Sequence, residues 1–150
     1  MNITIRKATI NDVKTIAILF NKYRIFYKQI PDLIAAENFI SERISNNESV
    51  IFLAEEDNIA VGFTQLYPIY SSVGMKQTWL LNDLYVEETA RGKGFADALL
   101  QAAQAFGAET KSRWLMLQTA VDNYRAQKVY ERNGWKREQN FYTYNYVLAQ

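Results

Sequence analysis

The chain has 150 residues, of which 17 are basic and 16 acidic, so its formal net charge of +1 provides no long-range field that would attract nucleic acid or an anionic membrane. It contains no cysteine and no histidine, which excludes disulfides, the usual zinc sites, thiol nucleophiles and Ser/His or Cys/His catalytic pairs. Apolar residues make up 49% of the chain, enough for one sizeable core, and no apolar run approaches the roughly 20 residues of a membrane-spanning helix. We therefore expect a single cytoplasmic domain over residues 1–150, with no metal, whose partner is a small molecule or a protein.

The N-terminal part of the chain predicts one strand followed by two helices. Apolar and polar residues alternate over residues 3–8, and Thr9-x-x-Asp12 is a capping-box-like start for the first helix. A second helix is predicted over residues 31–44, where apolar residues recur near helical spacing. An aromatic and basic connector at residues 23–28 is expected between the two helices.

Three β-rich runs follow these helices. Residues 50–54 and 59–67 are separated by acidic and turn-forming residues, which predicts a hairpin, and Pro68 is expected to end its second strand. Residues 78–86 are apolar on both faces, as is typical of a central strand. The glycine-rich segment follows this third strand directly.

The rest of the chain alternates helix and strand. From Gly94 apolar residues recur every three or four positions, which predicts a helix, and residues 114–119 are typical of a buried strand. A last helix is predicted over residues 124–132, with Gly134 beyond its C-terminus, and residues 141–148 are expected to form a closing aromatic strand. This order of elements predicts an α/β protein.

The segment that carries the chemistry lies at residues 91–96, between a predicted strand and a predicted helix. Glycines at the first turn of a helix let backbone N–H groups converge on an anion such as a phosphate. A nucleoside-triphosphate loop is excluded because Lys93 stands between the two glycines with no hydroxyl residue after it, and a dinucleotide fingerprint because Asp97 replaces the third glycine. Taken alone, the glycine pair is equally compatible with a plain tight turn.

Arg91-x-x-Gly94-x-Ala96 resembles the motif Arg/Gln-x-x-Gly-x-Gly/Ala with which the GNAT superfamily of N-acetyltransferases holds the diphosphate of CoA. Further along, a second segment resembles the superfamily's second motif. It reads Asn123-x-x-Ala126-x-x-Val129-Tyr130-x-Arg132-x-Gly134-Trp135. The resemblance implies the α/β GNAT fold, with a mixed sheet of six to seven strands that is splayed at the cofactor site and about four helices. It also implies acetyl-CoA as cosubstrate.

The same resemblance assigns the cofactor site. In GNAT enzymes one strand offers its backbone to the pantetheine arm and to the acetyl carbonyl, the glycine loop takes the phosphates, and an asparagine binds the CoA arm. The matching residues are Leu84, Tyr85, Val86, Arg91, Gly92, Lys93, Gly94, Phe95, Ala96 and Asn123. Asparagine is also a favoured helix N-cap, and both roles are compatible.

Two residues are catalytic candidates. Tyr130 matches the tyrosine that GNAT enzymes place near the CoA sulfur as general acid, and a phenol of pKa about 10 can return a proton to a thiolate of pKa about 8.5. Some relatives carry a glutamate base where this chain has Asn82. Asp83 is adjacent, although neighbouring strand residues point to opposite faces of a sheet.

The acceptor site implied by the resemblance is aromatic. Aromatic faces attract organic cations, which suits an amine, while the alternative for such residues is packing in the core. Arg24 and Lys28 are equally suited to an acceptor that carries a carboxylate. The candidate substrate contacts are Tyr23, Tyr27, Trp79 and Tyr142.

The sequence thus predicts an N-acetyltransferase that moves acetyl from acetyl-CoA to a primary amine of a small molecule or peptide by direct attack. The alternative is a catalytically weak CoA-binding regulatory module. A homodimer formed through the aromatic C-terminal strand is expected from the resemblance.

Overall fold

The structure, a computed structural model, describes residues 2–149. One five-stranded sheet has the order β1-β2-β3-β4-β5, in which neighbours are antiparallel except for the parallel pair β4 and β5. Short 3₁₀ turns precede the first helix and follow the fourth strand. The elements in chain order are β1 (Ile3–Lys7), α1 (Val13–Phe26), α2 (Leu33–Ser45), β2 (Val50–Glu56), β3 (Ile59–Ser71), β4 (Lys76–Val86), α3 (Phe95–Glu109), β5 (Leu115–Met116) and α4 (Tyr124–Arg132).

The predicted capping box before α1 is confirmed. The backbone N–H of Thr9 donates to Asp12 Oδ2 at 2.8 Å, and the N–H of Asn11 donates to Thr9 Oγ1 at 3.3 Å. Arg6 on β1 binds both Asp12 and Glu55, so one guanidinium ties the first strand, the start of α1 and β2 together. The predicted connector is wrong in part, because residues 23–26 continue α1 and the turn begins only at Tyr27.

The hairpin between β2 and β3 is confirmed, whereas its expected end is wrong. Asp57 and Asn58 both have positive φ, as a two-residue hairpin turn requires. Pro68 does not end β3 but pairs with Trp79 inside it. Pairing of β3 with β2 ends at Leu66, so β3 is an edge at Pro68 and the missing proline N–H is tolerated there.

The core lies on both faces of the sheet. Alternation along β2 directs Leu53 towards α1 and α2, where it packs with Ile16 and Ile40, and directs Ala54 towards α3, where it packs with Leu99. The helices α1 and α2 therefore cover one face, and α3 covers the other.

The sheet has fewer strands than the six to seven expected. Only Leu115–Met116 of the predicted strand at residues 114–119 is a strand, and residues 141–148 form no strand. Most of that last segment is 67–91% exposed, so no neighbouring strand satisfies its backbone within a single copy. No helix of the described residues has the length and apolar character needed to cross a membrane.

Candidate active site

The candidate site lies where β4 and β5 separate. The two strands pair only at Trp79 with Leu115 and at Leu80 with Met116, so the C-terminal half of β4 has no partner on that side. A cavity of about 700 Å³ opens in this gap, between β4, the C-terminal half of α1, the glycine turn and α4. Its lining includes Tyr23, Phe26, Tyr27, Leu84, Tyr85, Val86, Arg91, Gly92, Gly94, Phe95, Ala96, Asp97, Asn123, Arg125, Lys128, Tyr130 and Arg132.

The glycine turn presents backbone N–H groups to this cavity. Gly92 and Gly94 have φ of 80° and 91°, a left-handed conformation that side chains disfavour, and α3 starts at the next residue. The first hydrogen bond of α3 runs from the N–H of Ala98 to the carbonyl of Gly94 at 3.0 Å. Within residues 2–149, the N–H groups of 92–96 have no protein acceptor. They are free to bind an anion, which the positive end of the α3 dipole also attracts.

Arg91 and Lys93 differ in position although both belong to the same turn. Arg91 Nε donates to the carbonyl of Val86 at 2.9 Å, which holds the guanidinium beside the rings of Phe26 and Tyr85 and in the cavity wall. The Nζ atom of Lys93 instead pairs with Glu56 at 3.2 Å, and Lys93 is not among the lining residues. Lys93 would therefore contribute to the phosphate-binding turn through its backbone N–H and not through its side chain.

Two further cationic side chains line the cavity wall but were not among the candidate residues of the sequence. Arg125 and Lys128 lie on α4 and line the cavity, and the signal for them was helical spacing, since positions 125, 128 and 132 fall on one face of a helix. Among the lining residues in the described part of the chain, Asp97 carries the one carboxylate. Because Arg132 binds Asp97 with two hydrogen bonds of 2.7 and 2.9 Å, the pKa of Asp97 falls to about 2. The cavity is thus positively charged and suited to a diphosphate.

Asn123 and Tyr130 approach the cavity from opposite ends of α4. Asn123 caps the helix by accepting the N–H of Ala126 at 3.2 Å, and it also lines the cavity. Tyr130 is partly buried beside Trp135, and its hydroxyl has no hydrogen-bond partner in the part of the chain that the structure describes. Burial, with Tyr27 nearby, raises the pKa of Tyr130, so its phenol is protonated at neutral pH and free to donate.

The second catalytic candidate, Asp83, lies behind the wall. It is 3% exposed and is not among the residues that line the cavity, although the next two residues, Leu84 and Tyr85, are. Its carboxylate accepts hydrogen bonds from Gln65 Nε2 at 2.5 Å and Asn82 Nδ2 at 3.1 Å, and burial raises its pKa. On the side of the cavity, this hydrogen-bond network is bordered by Tyr23, which lines the cavity.

The four aromatic candidates for substrate contact divide into two pairs. Tyr23 and Tyr27 line the cavity. Trp79 does not, because it packs on Phe106 in the core with its ring N–H bonded to Thr110 Oγ1 at 3.0 Å. Tyr142 is 91% exposed in the C-terminal segment. Neither Trp79 nor Tyr142 is placed to contact a substrate in this cavity. Within the described residues no three acidic side chains converge on a point where they could hold a metal.

A sequence model of the Acetyltransferase (GNAT) family matches residues 15–135. The chain belongs to the GNAT acetyltransferase family. It is 46% identical over 140 residues to the uncharacterized N-acetyltransferase YhfO of Bacillus subtilis, covering 93% of this chain and 94% of that one. Like the family, it is an enzyme of the acyltransferase class.

Solved structures agree with this GNAT assignment. The crystal structure of a probable acetyltransferase superposes with a TM-score of 0.94 at 40% identity, covering 98% of this chain and 99% of the other. The aminoglycoside N-acetyltransferase AAC(6')-Iy in complex with CoA shares the fold, with a TM-score of 0.80 at 19% identity over 98% and 96% of the two chains. The GNAT fold with four helices is therefore confirmed, with five strands in place of six to seven.

Proposed function

We propose that this GNAT enzyme transfers the acetyl group of acetyl-CoA to a primary amine of a small molecule or peptide by direct attack. The observation that carries the proposal is the convergence of free backbone N–H groups, at residues 92–96, with unpaired cations on one cavity. A diphosphate would bind these amides and Arg91, while Arg125 and Lys128 lie on the facing helix. We propose that residues 1–150 form one such domain, working in the cytoplasm without a metal.

The unpaired backbone of β4 is the proposed binding site of the pantetheine arm and its acetyl group. Leu84, Tyr85 and Val86 line the cavity where β4 has no neighbour on its β5 side. A backbone N–H at Leu84 or Tyr85 would polarise the acetyl carbonyl as the amine attacks. Acetyl-CoA supplies an activated thioester, and Asn123 would hold the CoA arm from the start of α4.

Tyr130 is the proposed general acid. When the amine nitrogen bonds to the carbonyl carbon and the carbon–sulfur bond breaks, the leaving thiolate needs one proton. Tyr130 lines the cavity, and its hydroxyl is protonated because its pKa is raised and has no competing acceptor in residues 2–149. The proton would pass from the Tyr130 oxygen to the sulfur, and the proton that the nitrogen loses as it becomes an amide would restore the phenol.

The charge of the cavity limits the kinds of acceptor molecule that it can bind. Tyr23, Phe26 and Tyr27 form an aromatic wall, while Asp97, the one lining carboxylate, is already neutralised by Arg132. Recognition of a polycation such as an aminoglycoside would need several free carboxylates. We therefore propose an acceptor with a single amine beside an apolar, aromatic or carboxylate group, which aromatic faces and cations can bind.

A regulatory CoA-binding module is the second candidate. It is favoured by one observation, that within residues 2–149 no unpaired carboxylate lines the cavity beside Tyr130 to deprotonate an amine directly. Such a module would bind CoA but release no thiol with any amine.

A homodimer is proposed through the C-terminal segment, defined here as residues 141–148. It carries exposed Phe141, Tyr142, Tyr144 and Tyr146, while the outer edge of β5 is unpaired in the described chain and borders an open groove with Trp114 and Trp135. Four aromatic side chains bury about 600 Å² or more, so two reciprocal segments reach the roughly 1,200 Å² of a stable interface. The C-terminal segment of a second copy would bind at the edge of β5.

The proposed activity is tested by incubating the purified protein with acetyl-CoA and a panel of amines, following thiol release and the mass of the product. Tyramine, phenylalanine and a peptide α-amine represent the proposed acceptors, and spermidine and an aminoglycoside represent polycations. We expect turnover with the first group at a kcat/KM at least about tenfold above the second. CoA binding with no turnover on any amine would support the regulatory module instead.

A further inference from the structure

We propose that Asp83, acting through the hydroxyl of Tyr23, accepts the proton that the acceptor ammonium loses before its nitrogen attacks. The inference rests on the proposed acetyl transfer and supplies a proton acceptor to a cavity whose only lining carboxylate is paired. Asp83 would act through Tyr23, which is the residue that touches the amine.

Among the described residues, only neutral groups hold the Asp83 carboxylate. Gln65 Nε2 donates to Oδ2 at 2.5 Å, and Asn82 Nδ2 donates to Oδ1 at 3.1 Å. The hydroxyl of Ser49 donates to Gln65 Oε1 at 2.8 Å, which orients the amide so that its nitrogen faces Asp83. The carboxylate is thus fixed in position while no cation neutralises it.

Tyr23 connects this carboxylate to the cavity. Its side chain lines the cavity, and its hydroxyl donates to the carbonyl oxygen of Asn82 at 3.2 Å, beside the Asp83 carboxylate, towards which the O–H can turn. Its ring is held edge-on against Phe63 at 5.9 Å and against Tyr27 at 5.0 Å between ring centroids. A group in the cavity can therefore reach Asp83 through one fixed hydroxyl.

The surroundings make Asp83 a stronger base than an exposed carboxylate. Burial raises its pKa. The titratable groups that face it are Tyr23 from α1 and Tyr67 from β3, whereas Arg43 and Glu48 act on Tyr67. Tyr67 has a pKa of about 12 and stays neutral, so it does not compete for the proton.

Burying an unpaired carboxylate costs free energy. The two amide donors, Gln65 Nε2 and Asn82 Nδ2, each find an acceptor oxygen on the carboxylate, whereas an asparagine would offer only one. The carboxylate can also take up a proton near neutral pH, which an amide cannot.

The proposed step is balanced. The ammonium gives one proton to the Tyr23 oxygen as the Tyr23 hydroxyl gives its own to Asp83, so Tyr23 is unchanged, the amine is neutral and Asp83 is protonated. The nitrogen lone pair then forms the bond to the acetyl carbon. The proton on Asp83 returns to solvent by the reverse path after the product leaves.

The test compares Asp83→Asn, Tyr23→Phe and the double variant with Tyr67→Phe, a control that loses a hydroxyl near Asp83 but outside the cavity. At pH 7 we expect kcat to fall about 10²-fold in each single variant with the KM for acetyl-CoA unchanged. The double variant should be no slower than either single variant, because the two residues act as one unit. Tyr67→Phe should keep wild-type kcat.

The pH profile separates this role from a structural one. The kcat of the wild type should rise through the pKa of Asp83 and then level off, while in Asp83→Asn it should keep rising towards the pKa of the free amine, so that the deficit shrinks. Wild-type kcat and profile in Tyr23→Phe would overturn the relay, even if Asp83→Asn failed to fold, and so would additive losses in the double variant. A wild type without turnover would instead count against the proposed function.

Discussion

Asp97 and Arg132 join the first turn of α3 to the last turn of α4 through two parallel hydrogen bonds of 2.7 and 2.9 Å. Asn133 Nδ2 adds a third donor to Asp97 at 2.7 Å. The two helices that border the proposed diphosphate site are therefore held together by a pair that also cancels the one negative charge in the cavity wall.

Removing Arg132 alone should weaken CoA binding more than removing the whole pair. In Arg132→Gln the Asp97 carboxylate is left unpaired beside the phosphates, so we expect the Kd for CoA to rise roughly fivefold. Asp97→Asn in the same background removes the repulsion and should bring the Kd back to within about twofold of wild type. Calorimetric titration with CoA measures both values, and equal Kd values in the single and double variants would contradict the role of the pair.

The pH dependence of stability follows from the same pair. Because the pKa of Asp97 is lowered from 3.8 to about 2, its contribution to folding is complete above about pH 4 and is lost as the pH falls towards 2. The Tm of the wild type should therefore drop more steeply below pH 4 than the Tm of Arg132→Gln. Parallel Tm curves for the two proteins would contradict the shift.

Gly94→Ala should lower both stability and CoA affinity. A side chain at φ of 91° costs about 1–2 kcal/mol although the space beside Gly94 is open, and relief of that strain would turn the free N–H groups away. We expect a Kd for CoA about tenfold higher. Gly134→Ala is the matched control, since Gly134 has the same φ, open space around it and a position outside the cavity. It should lose similar stability, measured by urea unfolding, and keep its CoA affinity.

Tyr130→Phe should slow the chemical step without loosening the cofactor. We expect kcat to fall about 10²-fold, because the thiolate loses its proton donor, with an unchanged Kd for CoA. Tyr124→Phe removes a phenol from the same helix outside the cavity and should behave as wild type. Thiol-release kinetics measure kcat for both variants. An unchanged kcat in Tyr130→Phe would contradict the role of Tyr130 as general acid.

Charges in the C-terminal segment should dissociate the proposed dimer. Tyr144→Glu with Tyr146→Glu places two carboxylates in the proposed interface, and desolvating them is unfavourable. Light scattering should give the mass of a dimer for the wild type and of a monomer for the double variant. Ile59→Glu, a change at an exposed residue of the β2–β3 hairpin, should leave the dimer intact. A monomeric wild type would contradict the proposed dimer.

Much of the fold could be predicted because its signals are local. The capping box at Thr9 and the hairpin turn at Asp57-Asn58 each depend on a few neighbouring residues, and both are present. Pro68 was misjudged because the cost of a proline depends on which side of β3 is paired, a fact that lies in β2. The segment 141–148 was misjudged because its β-rich composition does not supply a neighbouring strand.

For the candidate site, the amino-acid sequence by itself determined the glycine turn, the capping Asn123 and the presence of Tyr130, since each belongs to a short motif. The tertiary structure alone decided which distant side chains meet there: Arg125 and Lys128 enter the wall, and Trp79 is withdrawn against Phe106. The physical reason is that motifs record local backbone geometry, whereas burial and charge pairing arise only when separate elements pack against one another.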